Sequence, residues 1–221
     1  PNRIEQLKGL VNQSCNVQGV GKAQFIEDSI MRSRVVEQKI RRYAAATSVL
    51  GAFPSPLLSS YTQSAALGLQ TNLIAEIAAV WGQSNFQARL LFGKIVGSLG
   101  LVSVWLLVLD VAKLVPKAGS NIGAVDAFTA TWAIGKTTQA YFESGQTLDA
   151  VTLQQIFKQA RKAGQTIYAF NEPAISEQQQ THSAQIKILT THLKLGKLTP
   201  EEYHKQIQQM LITVKQFNLP T

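Results

Sequence analysis

From Ala44 to Ala75 the chain carries no charged side chain. A second uncharged run extends from Ile95 to Leu109. Runs of this length must be covered by other protein or by lipid, because exposed apolar surface is costly in water. They therefore require either a sizeable helical core or a membrane-associated segment.

The excess of basic over acidic residues lies in the two flanks of the 221-residue chain. Residues 1–43 carry 8 basic and 4 acidic groups, residues 44–150 carry 5 of each, and residues 151–221 carry 8 and 4. The flanks thus account for the whole net charge of +8. A cationic flank beside an apolar block is typical of segments that meet an anionic membrane face. The predicted membrane-surface residues are Arg32, Arg34, Lys39, Arg41 and Arg42.

Strand patterns are nearly absent, whereas apolar residues recur at helical spacing along most of the chain. We expect helices over about 24–50, 58–80, 85–114, 118–142 and 152–170. Pro54 and Pro56 separate the first helix from the second, and Pro116 separates the third from the fourth, because proline lacks an N–H and restricts the residue before it. The second helix is expected to end near Gly82 and the fifth before Pro173. The predicted fold is an all-α bundle of hinged apolar hairpins with a small C-terminal helical hairpin.

The predicted organisation has four parts. Residues 1–43 form a polar and basic helical region, 44–170 an apolar helical domain, 171–183 a polar linker, and 184–221 the hairpin. The uncharged 15-residue run at 95–109 spans only about 22 Å as a helix, short of a bilayer core of about 30 Å. We therefore expect membrane association without an unequivocal spanning helix.

Small residues at four-residue intervals predict close helix pairing. The spacing places them on one face of a helix, where they allow another backbone to approach. The predicted helix-packing residues are Gly93, Gly97, Gly119, Gly123, Ala127, Thr131 and Gly135.

No catalytic, cofactor-binding or metal-binding residues are predicted. The segment Gly135-Lys136-Thr137 fits a relaxed phosphate-loop pattern, but it lies in a helical context with no preceding strand. Histidines His182, His192 and His204 lack metal-ligand spacing. The basic flanks are not interleaved with aromatic residues, so nucleic acid is not an expected partner.

Several central motifs follow an ordered pattern that resembles the YcjF-type domain of unknown function, in versions like those of cyanobacteria. These motifs are Phe53–Pro56, Ile77–Gln83, Leu114–Gly119, Thr131–Lys136 and Tyr141–Glu143. The resemblance covers about residues 35–145, with Lys117 where glycine is expected. It implies a helical module at the inner membrane that accompanies Era-like small GTPases, and it carries no catalytic residues.

The C-terminal segment resembles the short helical-hairpin module named SHOCT. Gly196 suits a helix C-cap, Thr199 an N-cap, Pro200 the first helical position, and Glu202 completes a capping box. Such short helices bury little alone, so we expect them to dock on another surface or to form a homo-oligomer.

Together these patterns predict a non-catalytic, membrane-associated module that anchors, positions or regulates a small GTPase. The GTPase would be a separate chain or an upstream part, since the sequence starts at Pro1 rather than Met. Residues 1–43 have no apolar signal-peptide core, so we expect the cytoplasmic membrane face. The alternative is a soluble helical bundle that binds other proteins, located in the cytoplasm.

Overall fold

The computed structural model describes residues 19–52, 56–83 and 120–212, with residues 88, 90, 91 and 93 between them. The chain forms two compact units, Pro1–Gln38 and Lys39–Thr221. Regular structure in the described residues is entirely helical, which confirms the all-α prediction. The helices are α1 (Gly19–Gly51), α2 (Pro56–Val80), α3 (Ser120–Glu143), α4 (Ala150–Lys194) and α5 (Pro200–Ile212).

The predicted bounds of the second and fourth helices are confirmed. Helix α2 begins at Pro56, where the absent N–H would have no intrahelical partner anyway. It ends before Gly82, whose φ of 74° is left-handed. Most of the helix expected over 85–114, including the uncharged run at 95–109, lies outside the described residues. In the part of the chain that is described, no helix is both long enough and apolar enough to cross a bilayer.

The C-terminal part of α1 is the central helix of the second unit. Every residue from Tyr43 to Leu50 is buried, so this stretch has no solvent face. A helix covered all round is uncharged and largely apolar, as the charge-free run that begins at Ala44 requires. The first residues of that run are therefore covered by protein.

Helices α3 and α4 pack against each other. Gly164 of α4 lies against Trp132 and the backbone of Thr129, so the helices approach closely. Phe128 stacks on Trp132 and meets the edge of the Tyr168 ring, with centroids 6.2 and 5.5 Å apart. Aromatic pairs in these geometries add to the free energy gained from area burial.

The predicted end of the fifth helix at Phe170 is wrong. Helix α4 continues unbroken to Lys194, with Pro173 inside it, so residues 171–183 are helical. Proline lacks the N–H that would bond to the carbonyl of Ala169. Ala169 is an exposed residue, so its carbonyl can bond to water instead. The buried face through Tyr168, Asn171 and Ile175 holds the helix together across the proline.

The C-terminal hairpin has the predicted caps. The N–H of Lys197 bonds to His192 O and that of Gly196 to Leu193 O, with Gly196 at a φ of 69°. Thr199 and Glu202 exchange reciprocal side-chain to backbone bonds of 2.8 and 3.2 Å, which confirms the capping box.

The hairpin lies within the second unit and packs on the rest of the chain. Tyr203 of α5 is fully buried, and its hydroxyl lies 3.0 Å from Thr190 Oγ1 of α4. On the other side of α5, the ring of His204 faces Gly68 of α2. The apolar face of α5 is therefore covered within this chain.

Candidate interaction surfaces

The predicted cationic residues divide between the two units. Arg34 of the first unit is exposed and Arg32 is half-buried. In the second unit Arg42 is exposed, whereas Lys39 and Arg41 each contact a side chain of the bundle. Arg34 and Arg42 are thus the members of the predicted set that the structure leaves exposed.

Lys39 and Arg41 stabilise the bundle through specific partners. Lys39 Nζ lies 2.5 Å from Glu76 Oε2, and both side chains are about one-third exposed. The guanidinium of Arg41 lies 5.6 Å from the ring centroid of Trp132, a cation–π contact. Both interactions join residues far apart in sequence, which explains why charge counting did not reveal them.

Exposed apolar side chains accompany the cations on α1. Met31 is 59% exposed and Val35 is 42% exposed, although both have the helical spacing of core residues. Together with Arg34 and Gln38 they occupy one side of the helix, because these positions lie three, four and seven residues after Met31. We call Met31, Arg34, Val35 and Gln38 the outer strip. The strip is not evident from sequence, because the spacing alone does not show which face of the helix is buried.

The predicted helix-packing residues of α3 face the C-terminal part of α1. A methyl group added at Gly51 would overlap the carbonyl of Gly123, and one added at Gly123 would overlap the carbonyl of Gly51. A methyl group at Gly135 would lie 2.6 Å from Ile40 Cγ1. Gly93 is exposed, and Gly97 and Gly119 lie outside the described residues.

A buried polar network lies between the same two helices and includes a side chain of α2. Thr47 Oγ1 lies 2.9 Å from Thr131 Oγ1, and Gln70 Nε2 donates to Thr131 Oγ1 at 2.9 Å. Ser48 donates to the carbonyl of Ala124. In the described structure Gln70 Oε1 is buried and makes no hydrogen bond. The network fixes the register of α1, α2 and α3, because a buried polar atom moved out of register would lose its partner.

Glu76 connects α1 to α2 at a polar junction. Tyr43 donates from its hydroxyl to Glu76 Oε1 at 2.6 Å, and Lys39 pairs with the other oxygen. Burial and the neighbouring carboxylate together raise the pKa of Tyr43. Asn72 Nδ2 donates to Gln208 Oε1 of α5 at 3.0 Å, so the hairpin is bonded to the same stretch of α2.

A histidine also lies where the hairpin meets α2. His204 Nε2 is 3.2 Å from Ser64 Oγ, and its ring faces Gly68, where an added Cβ would lie 3.8 Å from Nδ1. Burial lowers the pKa of His204, while the charge of Glu201 opposes this with a smaller effect. The neutral imidazole is therefore the form that this docked position favours.

The phosphate-loop pattern lies within α3. Residues 130–137 are continuous helix, Thr137 is fully buried, and Lys136 lies 5.4 Å from the centroid of the Trp132 ring. A helix interior uses its backbone N–H groups internally and cannot present them to a phosphate. Throughout the described residues, no three acidic, histidine or cysteine side chains are grouped to hold a metal ion.

These features define the described chain as an all-α bundle in which α1, α2 and α3 pack tightly together. The chain is similar to an uncharacterized protein of the cyanobacterium Synechocystis, with 27% identity over 124 residues. The match covers 54% of this chain and 80% of that protein. Comparisons with known protein families and with solved structures find no match. This match supports the expected likeness to a cyanobacterial protein of unknown function.

Proposed function

We propose that this chain is a non-catalytic helical module that binds an anionic membrane surface at the cytoplasmic face and positions or regulates a small GTPase there. The outer strip of α1 is the main observation behind this proposal. It exposes Met31 and Val35 beside Arg34, a combination of apolar and cationic side chains that suits the headgroup boundary of a bilayer. Binding of this kind is peripheral and needs no spanning helix.

Arg42 extends the cationic part of the proposal. It is exposed, and between residues 29 and 42 the sequence has Glu37 as its single acid. Each cation near an anionic membrane contributes about 1 kcal/mol, or roughly a fivefold change in affinity. Lys39 and Arg41 are expected to contribute less, since each already contacts a side chain of the bundle.

Vesicle sedimentation tests the membrane proposal. We expect the chain to bind vesicles of phosphatidylcholine with phosphatidylglycerol and to bind weakly to phosphatidylcholine alone. Replacing Arg34→Gln and Arg42→Gln together is expected to weaken binding by about 25-fold at low salt. The matched control replaces the exposed Lys158→Gln and Lys162→Gln of α4, with the same change of charge and little loss of binding.

The apolar half of the strip has a separate test. Met31→Ser and Val35→Ser are expected to reduce the binding that persists in high salt, because salt screens charge but leaves apolar burial intact. Equal binding by wild type and the arginine variant at low salt would contradict the membrane proposal. Absence of binding to either vesicle would favour the alternative, a soluble helical bundle that binds other proteins.

The GTPase partner follows from the resemblance to the YcjF-type domain rather than from a contact in this chain. We expect a purified Era-like GTPase to sediment with anionic vesicles when the chain is present and to stay in solution when it is absent. Recruitment of the GTPase by the arginine variant to the same extent as by wild type would contradict positioning at the membrane.

A further inference from the structure

The long helix α4 exposes several large apolar side chains in its C-terminal two-thirds. Phe170 is 80% exposed, Ile188 54% and Leu195 at the C-cap 62%. Isolated apolar residues on a surface are ordinary, but these three lie 18 and 7 residues apart, which places them on one side of the helix.

These three residues belong to a longer series with heptad spacing on the same side of α4. Alternating steps of four and three residues lead from Ala163 to Leu195, and all but half-buried Ile167 are exposed. The full series is Ala163, Ile167, Phe170, Ala174, Glu177, Thr181, Ala184, Ile188, Thr191 and Leu195. We call this series the outer seam. Seven of these ten positions are apolar. A 3.5-residue repeat of apolar side chains on an exposed face is the pattern of a helix that pairs with another helix.

The outer seam is complementary to itself in one antiparallel register. With Glu177 opposite Thr181, Phe170 lies opposite Ile188, and Ala174 lies opposite Ala184. Ala163 then lies opposite Leu195. In each of these three pairs, apolar side chains of the two copies face each other. We propose that two copies of this chain associate through the outer seam as an antiparallel helix pair with two-fold symmetry.

The single acid of the seam disfavours a parallel pair. A parallel pair in register would oppose the two Glu177 side chains directly, and like charges at a packed seam repel. Shifting the antiparallel pair by one heptad would place Glu177 opposite Ile188 in one direction. In the other direction Phe170 would face Thr181 instead of Ile188. The proposed register places each Glu177 opposite Thr181 and keeps Phe170 opposite Ile188, while the two Glu177 side chains lie four residues apart along the pair, near the two-fold axis.

The expected contact is modest in area. From Ala163 to Leu195 the seam extends about 48 Å, and a strip roughly 10 Å wide covers about 480 Å² on each copy. The total is roughly 1,000 Å², near the lower limit for a specific protein interface. We therefore expect a reversible dimer whose population depends on protein concentration.

Sedimentation velocity of the whole chain over a range of concentrations tests the dimer. Phe170→Ser is expected to raise the dimer dissociation constant at least tenfold, because each dimer contains two copies of the changed contact. Since Phe170 is 80% exposed, the monomer fold is expected to survive, which circular dichroism checks. Val151→Ser is the matched control, because Val151 is 62% exposed on α4 but lies outside the seam. Equal effects of both variants, or a monomer at all concentrations, would overturn the proposal.

A variant with the opposite effect excludes general damage to the fold. Glu177→Gln removes the two charges nearest the two-fold axis, so the dissociation constant is expected to fall several-fold. Weaker association of this variant would contradict the proposed register.

Disulfide cross-linking tests the direction of the pair. In a Cys15→Ser background, chains with Ala174→Cys are mixed with chains carrying Ala184→Cys. The antiparallel register predicts rapid cross-linking of the mixture and slow cross-linking of either chain alone. Preferential cross-linking of one variant with itself would overturn the antiparallel arrangement.

Discussion

Tyr43 on α1 donates a 2.6 Å hydrogen bond to Glu76 on α2, and the same carboxylate accepts from Lys39. One partly exposed acid thus holds two residues of the central helix. A hydrogen bond to a charged group contributes up to about 3 kcal/mol when buried, and solvent screening reduces that here. We expect Tyr43→Phe to lower the free energy of unfolding by about 1 kcal/mol in urea titrations. No loss of stability would show that the bond contributes nothing net.

Alkaline pH is expected to destabilise the fold through the same tyrosine. The pKa of Tyr43 is raised in the folded state, while an unfolded tyrosine titrates near 10. Above that pH the unfolded chain binds fewer protons than the folded chain, so stability falls as pH rises. Tyr168 and Tyr203 contribute in the same direction, because burial raises the pKa of each. Between about pH 10 and 12, Tyr43→Phe should reduce the slope of unfolding free energy against pH by up to about 1.4 kcal/mol per unit.

The close approach of α1 and α3 predicts a strong effect of one methyl group. Gly51→Ala would drive its Cβ into the Gly123 carbonyl, so the helices must separate. We expect a loss of about 2 kcal/mol or more, measured by thermal and chemical denaturation. Gly68→Ala is the matched control on α2, because its Cβ would meet the His204 ring at an ordinary 3.8 Å. That control should be neutral or stabilise by up to about 1 kcal/mol, and equal losses would contradict the close contact.

The buried polar network predicts a non-additive pair of substitutions. Thr131→Val leaves Gln70 Nε2 without its acceptor, which costs about 1–3 kcal/mol in a buried site. Gln70→Leu is expected to cost less, since its Oε1 makes no hydrogen bond in the described structure. The double variant should therefore be more stable than the sum of the single effects predicts. Additive free energies in a double-mutant cycle would show that the two residues do not interact.

Mild acid is expected to loosen the C-terminal hairpin. Burial lowers the pKa of His204, so below about 6.5 the unfolded chain binds a proton that the folded chain resists. Stability should therefore fall as pH drops below about 6.5, with His182 adding a loss of the same sign. His204→Gln should flatten the curve between about pH 6.5 and 5. His192→Gln, elsewhere on the hairpin, controls for the loss of a histidine, and an equal flattening would contradict this assignment.

Pro173 offers a substitution that should stabilise the protein. Pro173→Ala restores an N–H that can bond to the carbonyl of Ala169, and alanine is favoured over proline in a helix by about 3 kcal/mol. Because the helix already accommodates the proline, we expect a gain of about 1–3 kcal/mol and a higher Tm. A loss of stability would show that the surrounding packing depends on the proline ring.

Local capping chemistry was predictable from sequence, because it depends on residues within one turn. Thr199, Glu202 and Gly196 occupy their expected cap positions for this reason. The end of α4 was not predictable, because packing of Tyr168 and Ile175 outweighs the local cost of Pro173. The partner of Lys39 was not predictable either, since Glu76 lies 37 residues away. The exposed outer strip has a core-like spacing, and burial is decided by contacts beyond its own helix.

The continuity of α4 has a consequence for the cooperativity of unfolding. A hairpin on a flexible linker would melt as an independent unit, at its own temperature. Here one helix joins the α3 contact to the α5 contact, and α5 in turn bonds to α2 through Gln208 and Asn72. Heat that frays α5 also uncovers α2, so the hairpin and the rest of the second unit should unfold in a single calorimetric transition.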